Sequence, residues 1–421
     1  LGKTSKGRIF LMTRRVVVTG MGIVSPIGND IQSFRDSLYK GHHGIGPITQ
    51  FDTTGYKATL AAEVKNFNPK DYMENADIVR SDPNAHFAIA AACQAVEQSG
   101  IIGTLPPERL SVYFGTGIGG IQTFTAEMDK LRSKGPRRVS PYFIPMMIAN
   151  MASGMIAIRF NCRGSALPAV TACASGSNAI GEALRAIRHG YCDAAITGGG
   201  EASISECGVA GFINMQALSV AQDPDAASLP FDSRRGGFVI GEGAGALILE
   251  EYEHAISRGA TIYGEICGYG STCDAYHITA PHPDGVGAIQ AMKSALQEAG
   301  FSPDEKLYIN AHGTGTPLND VTETKAIKSL LGLEKAKQTP ISSTKSMTGH
   351  MLGAAGAAEA IACLFALHDG ILPPTVGLHS PDPECDLDYV PLTARKAEIT
   401  IALSNSLGFG GHNACLAIRK L

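Results

Sequence analysis

Short β-branched runs alternate with alanine-rich helical runs along the chain, and the alternation is played out twice. That ordering constrains the fold more than any single motif. Arg15–Gly20 reads Arg-Val-Val-Val-Thr-Gly, a predicted strand that stops at glycine. His86–Gly100 places Ala88, Ala91, Ala92 and Val96 near helical spacing, with Gly100 as a stop. Leu110–Gly115 is a predicted buried strand, Cys173–Gly190 a helix, and Ala194–Gly198 and Gly245–Glu250 strands; Gln50–Glu74 reads as irregular. The second round gives strands over Ile262–Tyr269 and Leu307–Ala311, helices over Gly287–Gly300 and Ala354–Gly370, then strands over Ile399–Ser404 and Cys415–Ile418. This order predicts an α/β layered fold with buried sheets. The halves divide near 13–260 and 261–421. Residue identity between them is too thin to establish duplication.

Composition narrows the function classes. With 35 Lys and Arg against 39 Asp and Glu, the net charge is −4, so no basic footprint for nucleic acid exists. A hydrophobic content of 44% with 18% charged residues is that of a folded globular chain. None of the 10 cysteines has C-x-x-C spacing, and a chain of 421 residues needs no disulfide staples. They are read as reduced, mostly buried thiols in a cytosol-like compartment. No apolar run is read as approaching the roughly 18 residues of a membrane span. Residues 1–12, with Lys3, Lys6 and Arg8, are expected to be a leader outside the fold, either appended or the trimmed end of a targeting peptide.

Gly115-Thr-Gly-Ile-Gly-Gly120 fits the dinucleotide fingerprint G-x-G-x-x-G after a strand. The next stretch, Ser133–Arg138, supplies neither the second strand nor the acid that the fingerprint needs, so a glycine-rich turn is the better reading. No G-x-x-x-x-G-K-[ST] and no G-x-S-x-G occurs. His277 and His282 lack further ligands for zinc.

Chemistry concentrates elsewhere. Val170–Ser177 puts Cys173 among small residues at the start of a helix. There the helix dipole favours thiolate over thiol, and free backbone N–H groups can hold an oxyanion. Taken locally, a buried packing cysteine is as good a reading. Two histidines tip the balance. His312, in Asn-Ala-His-Gly-Thr-Gly-Thr, follows a buried strand, where α/β sites form. His350, in Ser342–His350, precedes the Ala-rich helix, whose positive end should keep its ring neutral and able to donate a hydrogen bond. Each alone could be structural. Lys345 lies in the same tight loop of small polar residues, and Ser404–Asn413 sets Phe409 among glycines between two strands.

Together these segments resemble the β-ketoacyl-acyl carrier protein synthases of the thiolase superfamily, and within them the type II, elongating members. The likeness runs from Arg14 nearly to the end and includes Val17–Gly22, Thr171-Ala172-Cys173, Cys273–His277, both histidine motifs and the Gly-Phe-Gly-Gly loop. It implies two similar halves in a five-layered αβαβα sandwich, usually a homodimer. It implies Cys173 as acyl acceptor, with His312 and His350 binding the malonyl thioester carbonyl and stabilising the enolate formed on decarboxylation. Lys345 would orient the site in contact with Glu359. The N–H groups of Cys173 and Phe409 would form the oxyanion hole, Phe409 would gate the acyl pocket and Ile118 would line it. Thr314 and Thr316 would hold the phosphopantetheine arm supplied by acyl carrier protein. No covalently bound cofactor is implied; a monovalent cation near Asn310, Glu359, Ser404 and Asn405 is. The compartment would be bacterial cytoplasm or an organelle stroma or matrix.

Relatives separate on particular residues. A biosynthetic thiolase carries a second cysteine in the C-terminal glycine loop, where this chain has Phe409. The initiating synthases use Cys-His-Asn, where His350 here fills the third role. A ketosynthase of a type II polyketide system and a non-catalytic acyl-binding partner subunit are the alternatives. The basic cluster that relatives use for the acidic carrier is thin. Gln216 and Leu229 stand where relatives often have basic residues, which leaves Lys65, Lys70, Arg132, Lys134, Arg137 and Arg138 as docking candidates.

Overall fold

The computed structural model describes residues 14–421, so the expected leader at 1–12 lies outside the described residues. Ten strands form one sheet. They are β1 (Val16–Val24), β2 (Leu110–Gly115), β3 (Ala166–Ala169), β4 (Ala194–Glu201), β5 (Gly243–Glu251), β6 (Gly264–Cys273), β7 (Leu307–Asn310), β8 (Ile341–Ser342), β9 (Ile401–Gly408) and β10 (His412–Arg419). Their spatial order is β8-β7-β9-β10-β6-β1-β5-β4-β2-β3. Read outward from the centre, the first half runs 1-5-4-2-3 and the second 6-10-9-7-8. Adding five to each number of the first gives the second. Directions match too: β2 pairs parallel with β3 and β4, as β7 does with β8 and β9, while β5 and β10 run antiparallel to their neighbours. The duplication that residue identity could not establish is thus plain in topology.

Packing repeats as well. Helix α1 (Pro83–Ser99) starts at Pro83, is capped by the Asp82 side chain on Asn84 N–H, and ends at Gly100 in the left-handed region. It covers β1 so closely that a Cβ on Gly20 or Gly22 would lie 2.2 or 2.0 Å from the carbonyls of Ala95 and Ala91. Helix α3 (Val286–Glu298) meets β6 in the same way, at 2.1 Å (Gly268 on Ala295) and 1.9 Å (Gly270 on Ala291). Between the two half-sheets lie α2 (Ser175–Arg188) and α5 (Ala355–Asp369), packed on each other and on both sheets. The layers are therefore α1, half-sheet, α2 with α5, half-sheet, α3, a five-layered αβαβα sandwich. Its two sheets join along one edge through only two residue pairs, Val17 with Glu265 and Val18 with Gly264.

Three expectations need correction. Leu352–Asp369 is long and apolar enough to cross a membrane by length and composition, contrary to the reading that no run approaches that length; it is 89% buried as the central layer of the sandwich. The helix expected over Cys173–Gly190 begins with a 3-10 turn, Ala172–Ala174, and becomes α-helical only at Ser175. The irregular stretch Gln50–Glu74 contains a short strand, Leu60–Ala62, paired with Ile45–Pro47.

Candidate active site

Cys173 sits in the turn Ala172–Ala174, which Ala172 enters at φ +51°. The turn is pinned from both sides. Ser175 Oγ accepts from Thr171 N–H (2.9 Å) and donates to the carbonyl of Ala172 (2.7 Å), and it also lies 3.0 Å from the carbonyl of Thr116. Gly408, at the end of β9, lies so close that a Cβ there would be 2.8 Å from the carbonyl of Thr171. This approach brings Phe409 to the cysteine, and the N–H groups of Cys173 and Phe409 both point at the sulfur.

The histidines arrive from the second half. His312 follows β7, and its loop is held by a carboxylate that the motif does not contain. Glu323, on α4 (Pro317–Leu331), accepts from the N–H groups of His312 and Gly313, both at 2.8 Å. His350 is fixed by its backbone, donating to the carbonyl of Val239 (2.7 Å) and accepting from Gly241 N–H (2.9 Å), with Phe238 edge-on to its ring at 5.1 Å. The two imidazoles stand 5.3 Å apart, nearly perpendicular. Nδ1 of His312 and both ring nitrogens of His350 are buried without protein partners. Lys345 is 1% exposed and ion-paired with the buried Glu359.

One cavity of about 370 Å³ is lined by Cys173, His312, His350, Phe409, Thr314 and Thr316, together with Asp274 and Thr279 from the segment after β6. Of the Cys273–His277 motif, Asp274 lines this cavity. Thr314 and Thr316 lie 3.0 Å apart through their hydroxyls. Ile118 does not line this cavity; it is 40% exposed on the Gly115–Gly120 turn. The docking candidates Lys65, Lys70, Arg132, Lys134, Arg137 and Arg138 are all exposed.

Electrostatics corrects one expectation. A helix tip was expected to favour the thiolate, yet burial pushes the Cys173 thiol up to about 12. The Lys345 ammonium and the two N–H groups oppose that rise without overcoming it, while the Glu201 carboxylate reinforces it. His350 is neutral as expected, but by burial rather than a helix dipole, and His312 shares that state. Burial, then the Lys345 charge, holds both well below 6.5, so both are neutral. Burial raises Glu359 to about 7, opposed by Lys345.

Sequence reasoning missed Glu323, Phe238 and Glu201. Glu323 and Asp320 are buried acids on one face of α4 that accept from backbone N–H groups of the His312–Gly315 loop and from the Asn405 and Asn319 amides. An acid directly after a run of three glycines, Gly198-Gly199-Gly200-Glu201, was the one available signal for Glu201.

Residues 13–255 match the family described as β-ketoacyl synthase, N-terminal domain, and residues 263–379 its C-terminal domain. The chain is 51% identical over 412 residues to 3-oxoacyl-[acyl-carrier-protein] synthase 2 of Synechocystis, covering 97% of this chain and 99% of that protein. It is 50% identical to the synthase 2 of Staphylococcus aureus strain COL over 408 residues, 97% and 98% of the two chains. Among solved structures it resembles the ishigamide ketosynthase/chain length factor (TM-score 0.91, 36% identity, 97% and 100% coverage). It also resembles a type II polyketide ketosynthase in complex with its acyl-carrier protein and bound to the hexaketide (TM-score 0.89, 34% identity, 97% and 100% coverage). The chain belongs to the β-ketoacyl synthase family, the condensing acyltransferases.

Proposed function

We propose that this enzyme elongates carrier-bound acyl chains by two carbons through an acyl group on Cys173, with His312 and His350 serving the malonyl half of the reaction. The observation that carries the reading is the convergence of one cysteine and two neutral, unpartnered imidazoles on a single cavity. The carrier's phosphopantetheine thioester enters past Thr314 and Thr316. Because the resting sulfur is a thiol, its proton passes through a neutral imidazole to the departing pantetheine thiol as the acyl group moves to Cys173. The N–H groups of Cys173 and Phe409 hold the oxyanion. Malonyl-carrier then loses carbon dioxide. The electron pair left behind is an enolate, and two neutral N–H donors suffice to stabilise it without a strong base. Its carbon attacks the acyl thioester, the β-ketoacyl product stays on the carrier, and the released sulfur takes up a proton. Burial, and then the Lys345 ammonium, keeps both rings uncharged. Phe409 closes the acyl side.

Thus residues 13–260 supply the nucleophile and residues 261–421 the donors. Fatty-acyl elongation is favoured over polyketide extension by the identity of 50–51% to the synthase 2 relatives, against 34% to the type II polyketide ketosynthase. The test is intact-protein mass spectrometry across an acyl-carrier length series. Acyl adducts on Cys173 for saturated chains carry the reading, and adducts from polyketide carriers alone overturn it.

Three partners complete the proposal. The acidic carrier docks on the exposed Lys65, Lys70 and Arg132–Arg138 region. A second copy covers the exposed edge strand β3, where Leu167 and Val170 are each more than half exposed; sedimentation checks this. A monovalent cation suits Asn310, Ser404, Asn405 and Glu359. Ser404 is the register partner of Asn310, and all four carry a buried oxygen without a hydrogen-bond partner, a hard-donor set. Such an ion would supply fixed positive charge behind the Lys345–Glu359 pair. Thermal midpoints in potassium against a bulky organic cation test it. The compartment is that of a dissociated synthase system, bacterial cytoplasm or an organelle stroma or matrix.

A further inference from the structure

The duplication gives every feature of the Cys173 turn a mate. In the first half, Ala172 (φ +51°) leads into the 3-10 turn Ala172–Ala174 and then α2; in the second, Leu352 (φ +47°) leads into Leu352–Ala354 and then α5. The mate of Cys173 is therefore Gly353, three residues past His350. The N–H of Cys173 points at its own sulfur. The N–H of Gly353 points at a carboxylate instead: Glu201, at the end of β4 and 0% exposed.

Glu201 Oε2 accepts from Gly117 N–H (2.7 Å) and Gly353 N–H (3.1 Å), while Oε1 accepts from Ser203 Oγ (2.6 Å). A carboxylate thus stands over the N–H group that duplication pairs with the oxyanion hole. Nothing wider fits. A Cβ on Gly117 would come 2.7 Å from Oε2, and a Cβ on Gly353 would come 2.2 Å from Gly117 N. Gly353 also touches the cysteine side, since a Cβ on Gly176, in the first turn of α2, would lie 2.9 Å from the Gly353 carbonyl. The Gly115–Gly120 run, set aside as a phosphate loop, therefore wraps an internal carboxylate.

We propose that Glu201 is a positioning residue whose carboxylate, by clasping the N–H groups of Gly117 and Gly353, ties the turn that follows His350 to the Gly115–Gly120 loop, on which the Cys173 turn rests through Ser175 Oγ and the Thr116 carbonyl. It lines no part of the cavity and touches no substrate. The inference rests on the reaction proposed above, in which His350 acts on the malonyl group and Cys173 on the acyl group.

The test separates the two half-reactions, carbon dioxide release from malonyl-carrier and acyl mass gain at Cys173. In Glu201→Gln the amide oxygen can take both N–H groups while the amide nitrogen donates to Ser203 Oγ, so the clasp survives without its charge. Glu201→Ala removes the clasp. We expect E201A to lose decarboxylation about tenfold or more relative to acyl transfer, and E201Q to restore that ratio to within about threefold of wild type. Amide exchange of the peptide containing Gly353 should speed up in E201A and not in E201Q. Should E201A fail to fold, Glu201→Asp, with its carboxylate withdrawn by one methylene, is expected to show the same selective loss. Equal ratios in all folded variants, or unchanged exchange at Gly353, overturn the proposal. A wild type that neither takes up acyl mass nor releases carbon dioxide fails the reaction itself, and amide exchange still decides the clasp.

Discussion

In the first half of the molecule the turn Ala172–Ala174 opens onto a cavity, whereas in the second half the turn Leu352–Ala354 is closed by backbone and by Glu201. The two have the same strained entry, the same 3-10 turn and the same long helix behind them. They differ in what stands in front. Before β3 the first half inserts three helices, Ile121–Lys134, Phe143–Met147 and Met151–Phe160, and after β4 it adds the apolar segment of Ile204, Val209 and Phe212 that borders the cysteine. In the second half the β7–β8 connection carries His312 near its start, then the helices Pro317–Leu331 and Leu333–Gln338, β9 returns directly to β10 through the Phe409 loop, and His350 stands just ahead of the mate turn. A duplicated scaffold thus holds one site, and the mate turn positions it without opening onto a cavity of its own.

The largest expected effect breaks the comparison at its open turn. Cys173→Ala should abolish acyl mass gain and condensation, a loss of about 10⁴-fold or more, whereas Cys173→Gln should keep malonyl decarboxylation. Intact mass and carbon dioxide release read the two. Elongation surviving in C173A would refute the nucleophile. Next come the donors from the other half. His312→Ala and His350→Ala should each lower decarboxylation by about 10²–10⁴-fold, and lower it more than acyl transfer. Equal losses in both steps would mean the rings serve the cysteine alone.

The closed turn should fail differently. Gly353→Ala drives a Cβ to 2.2 Å from the backbone nitrogen of Gly117 and 2.7 Å from the carbonyl carbon of Thr116, and neither can rotate away. We expect a loss of about 2–3 kcal/mol in stability, measured by denaturant midpoint, and in the folded protein the same loss of decarboxylation relative to acyl transfer as in E201A, because the added Cβ forces apart the two N–H groups that Glu201 clasps. The mate position then cannot be given a side chain, let alone a nucleophile. A fully stable G353A would show that the mate turn is looser than the structure has it.

How much of this the sequence disclosed follows from what local pattern can carry. Cys173, His312, His350 and Phe409 stand in runs of small residues that leave few structural explanations, and their order along the chain matched a known family. The strands of β1 and β2 were legible because an unbroken buried strand is an unbroken apolar run. The short β3 and β8 were not, since two to four residues have no period. Glu201 and Glu323 were hard to see because their main partners are backbone N–H groups, on loops far along the chain for Glu201 and across a loop-to-helix turn for Glu323, which no residue spacing encodes. The thiol's state was misjudged for a related reason: a helix tip is local, but the burial that outweighs it is made by both halves together.

The smallest expected effect concerns pH, and it turns on the same two rings. Both imidazoles are held well below 6.5, first by burial and then by the Lys345 ammonium. In the Cys173→Gln protein, decarboxylation should therefore stay flat as pH falls from 8 through 6.5, with no step at the ordinary histidine value. A step there would place the rings in contact with solvent. The same depression fixes a sign for stability. Below 6.5 the unfolded chain binds protons at these histidines that the folded chain refuses, so their contribution is complete above that pH and declines as pH falls from it toward the folded values. Replacing one ring by glutamine removes that term. The acid-side decline in thermal midpoint should become shallower in His350→Gln than in wild type, because the burial that keeps the donor neutral for catalysis is the burial that costs stability in acid.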